Sequence, residues 1–137
     1  MISIPAPPSA NNLYTNVRGV GRRKTKKYRR WIGSASILVA MTDCEPIPRR
    51  TPVEVTISAD IDRRRDLDNV IKPVIDLLQS TGILPDDRWV DSICATRVSS
   101  LKNWITVDVI RKPARRDQVS NPGQKNVNEN NGLSLDG

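Results

Sequence analysis

Apolar residues recur along this chain with two different periods, and the switches between them mark the elements. Over about 25–41, Tyr28, Trp31, Ile32, Ala35, Leu38 and Val39 fall at the i, i+3, i+4, i+7 spacing that lines one face of an α-helix. Val53, Val55, Ile57 and Ala59 then alternate with polar neighbours, the two-residue period of a half-buried strand. Helical spacing returns at Leu67, Val70, Ile71, Val74, Ile75 and Leu78 and predicts a second helix over roughly 67–80. Asp66 or Asp68 is placed to cap its start and Gly82 to stop it. Pro73 lies inside that span, so the helix is either mildly kinked or starts late enough to put the proline in its tolerant first turn. Further strands are expected at about 90–98 and 104–110, joined by the polar connection SSLKN.

The opening residues 1–16 combine a short strand cue with prolines and turn formers, which suits an edge strand leaving the sheet through a loop. A glycine-punctuated basic stretch, VRGVGRRKTKK, follows. The order β-α-β-α-β-β describes an α/β (α+β) fold, a small mixed β-sheet with two helices packed on it. With 137 residues there is room for one domain, placed at 1–112. Residues 113–137 are rich in Asn, Gln, Ser, Pro and Gly and too poor in apolar side chains to join a core, so a disordered tail is expected. Aromatics are scarce (three Trp, two Tyr, no Phe), which leaves the core to aliphatic side chains; Trp31 and Trp104 are assigned to it.

Charge adds a partner. The net charge is +7 with no His, and all eight Lys and Arg residues before Trp31 stand without a single acid among them. Such a segment attracts a polyanion by Coulomb steering and counterion release, which favours nucleic acid. Lys26, Lys27, Arg29 and Arg30 also crowd the start of the first helix against its macrodipole, a repulsion that a bound phosphate relieves. The competing partner, an anionic membrane, is set aside because the longest apolar run, 37–41, is far shorter than a bilayer span and no leader with an apolar core precedes it. A cytoplasmic protein is expected. Cys44 and Cys94 form no CxxC pair and are expected to be ordinary reduced thiols.

The run RRRDLDNVIKPVID concentrates candidate chemistry. Asp66 and Asp68 stand two apart at a strand-to-helix junction, Lys72 follows Asp68 by one helical turn, and Asp86-Asp87 comes after the second helix. Hard divalent cations take oxygen ligands and keep several waters, so two or three convergent carboxylates suffice to hold one for phosphodiester hydrolysis, with a lysine to steady developing charge. The bland alternative has Asp66 capping the helix, Asp68 and Lys72 as a surface ion pair, and Asp86-Asp87 as a turn. Arg63, Arg64 and Arg65 directly before the acids favour the first reading, since a phosphate backbone must approach carboxylates that repel it. Arg18, Arg22, Arg23, Lys24, Lys26, Lys27, Arg29 and Arg30 are the other candidate DNA contacts. Tyr14 and Trp89 could stack on exposed bases, although packing is the simpler role for Trp89, and Asn69 could orient a carboxylate or stabilise the helix start.

DLDNVIKPVIDLL followed by GILPDDRWV resembles the D-x-D-N-x-x-K and L-x-D-D elements of the RusA-type Holliday junction resolvases of bacteria and their phages. The opening PAPPSANNLY is similar to that family's P-P-S-x-N segment. Together these elements span roughly 4–110. By position, the resemblance implies that Asp66, Asp68 and Asp87 are metal-binding carboxylates, that Lys72 is a catalytic lysine and that Asp86 is a supporting neighbour. It further implies magnesium or manganese as cofactor, a homodimer acting on four-way junctions, and ligatable nicks. Two other readings remain compatible with the residues: a noncatalytic branched-DNA-binding protein, and a nuclease for flaps or forks.

Overall fold

A computed structural model describes residues 1–112; the tail expected at 113–137 lies outside the described residues. Its centre is the strand whose alternation is cleanest. Numbered in chain order, the strands are β1 (Ile2–Pro5), β2 (Tyr14–Val17), β3 (Gly21–Lys24), β4 (Val53–Ala59), β5 (Val90–Arg97) and β6 (Trp104–Arg111), and the helices are α1 (Lys26–Met41) and α2 (Ile71–Ser80). Val53, Val55, Ile57 and Ala59 of β4 are all fully buried. One four-stranded sheet runs β1-β6-β4-β5, with β4 and β5 parallel and the other pairs antiparallel. The parallel pair needs a long crossover, and α2 supplies it.

The buried face of the sheet carries Ile2, Ile4, Ile105, Val107 and the four β4 residues; Tyr28, Trp31, Ala35 and Val39 of α1 and Val74, Ile75, Leu77 and Leu78 of α2 close the same core. Glu54, Thr56, Ser58, Thr106 and Asp108, on the alternate positions, are only partly covered, so this is a two-layer fold. Replacing Ile57 with Ala removes three carbons from the middle of that layer. A loss of about 2–5 kcal/mol in chemical denaturation is expected.

Local chemistry explains the helix ends. Thr25 Oγ1 accepts the Tyr28 amide at 3.1 Å as an N-cap and donates to the Asn12 carbonyl at 2.6 Å. Ahead of α2 the chain makes one 3-10 turn, Leu67–Val70, and the α-helix begins only at Ile71. Pro73 therefore falls in the first turn, where its missing N–H breaks no helical bond. Gly82, at φ +81°, takes the left-handed conformation that ends the helix.

Two expectations need correction. The expected order β-α-β-α-β-β lacks two strands around the basic stretch: β2 and β3 pair antiparallel as a separate hairpin, Tyr14 opposite Lys24 and Val17 opposite Gly21, with Gly19 and Gly21 at positive φ. Trp104 is not in the core. The register that buries Ile105 and Val107 turns Trp104 to the other face of β6, where it is 39% exposed. Trp31, by contrast, is buried, and its indole N–H donates to the Pro5 carbonyl at 2.9 Å.

Candidate active site

After Ala59 the chain leaves β4 and turns through RRR toward the acids, and this turn is heavily tied. Asp62 accepts the Arg64 amide at 2.8 Å and its guanidinium at 3.0 and 2.9 Å. From the end of β5, Arg97 reaches back to the carbonyls of Ile61, Asp62 and Arg65 at 3.0, 3.2 and 2.8 Å. Arg65 is itself drawn inward, donating to the Pro8 carbonyl at 3.2 Å; burial pulls its pKa down, and its Nε is sheltered without a partner among the described residues. Thus Arg63 is exposed, Arg64 is committed to Asp62, and Arg65 lines a cavity with Ser9, Lys27 and Trp31.

The clamped turn delivers Asp66 and Asp68 to the 3-10 turn ahead of α2. Both are exposed, and the Asp66 side chain makes no capping hydrogen bond. Before β5, Asp86 spends its carboxylate on the local turn, accepting the Arg88 amide at 3.0 Å and pairing with its guanidinium at 3.4 Å. Asp87 beside it is left exposed. Among the described residues, no hydrogen bond or ion pair engages the carboxylates of Asp66, Asp68 or Asp87, whereas Asp60, Asp62, Asp76 and Asp86 each have protein partners. Asp60 receives the Leu101 and Lys102 amides.

Lys72 does not pair with Asp68. Its ammonium lies 3.4 Å from Asp76, one turn further along α2, and 6.0 Å from the centre of the Tyr14 ring. Partial desolvation works against the charged lysine, but the attraction of Asp76, with smaller help from Tyr14, outweighs it and moves the pKa upward. Lys72 is therefore a cation throughout the physiological range, suited to stabilising negative charge and unsuited to acting as a base.

The fit of a metal is divided. Aspartate oxygens are the right donors for a hard cation. Yet Asp87 sits at the start of β5, while the Arg97 clamp beside Asp66 sits at its end, and among the described residues no group of three or more His, Cys, Asp or Glu is arranged to hold an ion. One chain does not by itself assemble the three-carboxylate site.

The basic residues form a surface. Arg22, Arg23 and Lys24 on β3 and Lys26 and Lys27 in the first turn of α1 are all exposed, and Arg23, Lys24, Lys26 and Arg29 line an open groove between hairpin and helix. Arg22 stacks over the Tyr14 ring at 4.1 Å. Tyr14 is thus occupied by protein partners, and Trp89 is half-buried beside Arg49, Arg50 and Arg88.

A family model described as Endodeoxyribonuclease RusA matches residues 5–110. The chain belongs to the RusA endodeoxyribonuclease family. No curated protein matches it closely enough to add a relative. The match runs from the last residue of β1 nearly to the end of β6 and so takes in Asp66, Asp68, Lys72, Asp87 and the basic hairpin. Membership makes the chain a hydrolase acting on DNA. No helix among the described residues is long and apolar enough to cross a membrane. Two residues tied to the candidate site are not singled out by the sequence: Arg97, visible only once β5 is aligned beside the RRR turn, and Asp76, whose i+4 spacing from Lys72 was the available signal.

Proposed function

We propose that this chain resolves Holliday junctions and related branched DNA by hydrolysing phosphodiester bonds, with Asp66, Asp68 and Asp87 as essential carboxylates and Lys72 as the cation that steadies charge developing on the phosphate. The observation that carries this reading is the RusA family match over a segment whose motif acids stand exposed and available. Asp60, Asp62, Asp76 and Asp86 are held by backbone amides, arginines and tyrosines, whereas the three motif acids are exposed and uncommitted, a state they share with Asp43 and Glu45 outside the motifs.

Magnesium, with manganese as a substitute, is the cofactor that suits such oxygen donors. Among the described residues the three carboxylates do not group within one chain, so Asp66 and Asp68 are the pair that would hold the ion and it would supply polarisation of the phosphate. DNA would approach along the hairpin and the first turn of α1, where Arg22, Arg23, Lys24, Lys26 and Lys27 face outward, and continue past Arg63, Arg64 and Arg65. Of these three, only Arg63 is free of the ties already described.

The proposed active form is a symmetric homodimer in the cytoplasm. A four-way junction offers two equivalent strands, each chain has one set of motif acids, and paired cuts need two sets related by a twofold axis. Light scattering at concentrations that support full cleavage is expected to give twice the mass of one chain. A monomeric mass, with nicked circles accumulating ahead of linear product from a supercoiled cruciform, would contradict the dimer.

Branch type is settled by comparing a four-way junction, a flap, a fork and plain duplex at equal salt and equal protein. The junction is expected to be cut fastest; equal or faster cutting of a flap or fork would reassign the substrate.

A further inference from the structure

Asp76 and Lys72 are the acid and base of α2, and their pairing invites a simple explanation that does not hold. Lys72 precedes its acid by four residues, the less favourable order for a helical i,i+4 pair, and exposed pairs of this kind contribute little to stability. The two ends also differ. Lys72 is 62% exposed, whereas Asp76 is 18% exposed and held from behind. One carboxylate oxygen, Oδ2, accepts the Tyr28 hydroxyl at 2.7 Å and the Tyr14 hydroxyl at 3.1 Å, and the other, Oδ1, faces the Lys72 ammonium.

The clamp is rigid at its base. Tyr28 is fully buried, stacked on Trp31 and edge-to-face with Tyr14, so the carboxylate cannot swing without losing two hydrogen bonds from a packed aromatic cluster. Burial, and then the hydrogen bond to Asp76, push the Tyr28 hydroxyl pKa well upward, which keeps that donor protonated. Tyr14 also opens β2 and carries Arg22 on its ring, so the cluster joins the basic hairpin, α1 and α2 at one point.

We propose that Asp76 is a positioning residue for Lys72: clamped by Tyr14 and Tyr28, it fixes the ammonium on the exposed face of α2 beside the basic hairpin. The inference rests on the reading of Lys72 as catalytic. Asp76 acts through the lysine, so removing it matters only while the lysine is present.

A double-mutant cycle on the full chain tests this. Single-turnover cleavage of a synthetic four-way junction in magnesium is measured for the wild type, Lys72→Ala, Asp76→Asn and the double variant, with junction binding measured without divalent cation and folding followed by thermal melting. Asp76→Asn is expected to slow cleavage about 10- to 100-fold, the usual range for a partner that orients a functional group, with binding affinity within about twofold of wild type. The double variant is expected to be no slower than Lys72→Ala alone. Wild-type cleavage by Asp76→Asn, or a double-variant loss equal to the product of the two single losses, overturns the proposal. Wild-type cleavage by Lys72→Ala overturns the underlying reading of the lysine and the proposal with it. Should Asp76→Asn fail to fold, Tyr14→Phe removes one hydroxyl from the clamp and leaves the ring. It is expected to slow the wild type but not the Lys72→Ala background, and equal slowing of both overturns the proposal.

Discussion

Asp66→Asn, Asp68→Asn and Asp87→Asn are each expected to lower junction cleavage by more than about a hundredfold while leaving junction affinity in place or slightly raised. Even partners one step removed from a functional group typically cost about 10- to 100-fold when changed, and a carboxylate with the direct role proposed for these three should cost more. Affinity should survive because none of the three carboxylates supports the basic surface, and removing a negative charge near phosphate reduces repulsion. Folding should survive too: all three are exposed, and among the described residues none has a side-chain hydrogen bond or ion pair to lose. Asp86→Asn provides the contrast. It retains an oxygen for the Arg88 amide and should cost far less activity. The comparison is made by single-turnover cleavage alongside a binding titration without divalent cation. A variant among the three that cleaves near the wild-type rate would remove that residue from the site.

Replacing Lys24, Lys26 and Lys27 together with Ala is expected to weaken junction binding and to flatten its dependence on salt. Each phosphate contact on duplex DNA contributes about 0.9 to the slope of log K against log salt, so loss of all three should reduce the slope by about 2.7 per site. Their side chains are exposed, on β3 and the first turn of α1. Truncation also eases the charge repulsion at the start of α1, where no acid offsets the macrodipole, so stability should hold or rise slightly. Binding measured across a salt series checks this, and an unchanged slope would show that these lysines face solvent in the complex.

Where burial dictates residue choice, the fold was legible in the sequence. Strand β4 alternates because one face is sealed by two helices, and α1 begins where Thr25 can cap it and runs to the limit of its apolar stripe. The hairpin of β2 and β3 was not legible because only Tyr14 of its residues is even partly covered, leaving no periodic signal. Trp104 misled because size suggests core membership while register decides which face it occupies. At the site, motif resemblance reached the candidate acids and Lys72. It could not show that Lys72 turns to Asp76 instead of Asp68, since that depends on two tyrosines 48 and 62 residues away in sequence from the carboxylate they hold. Nor could it show that Asp87 and Asp66 approach β5 from opposite ends, which is a fact of the parallel β4–β5 pairing.

The decisive measurement is cleavage of an end-labelled synthetic four-way junction by the full chain, in magnesium and in EDTA, with the cut positions mapped and the products treated with DNA ligase. Symmetric nicks in two opposing strands, formed only with magnesium and resealed by ligase, are predicted. Tight junction binding with no cleavage in magnesium or manganese would contradict the assignment and leave a binding protein in its place.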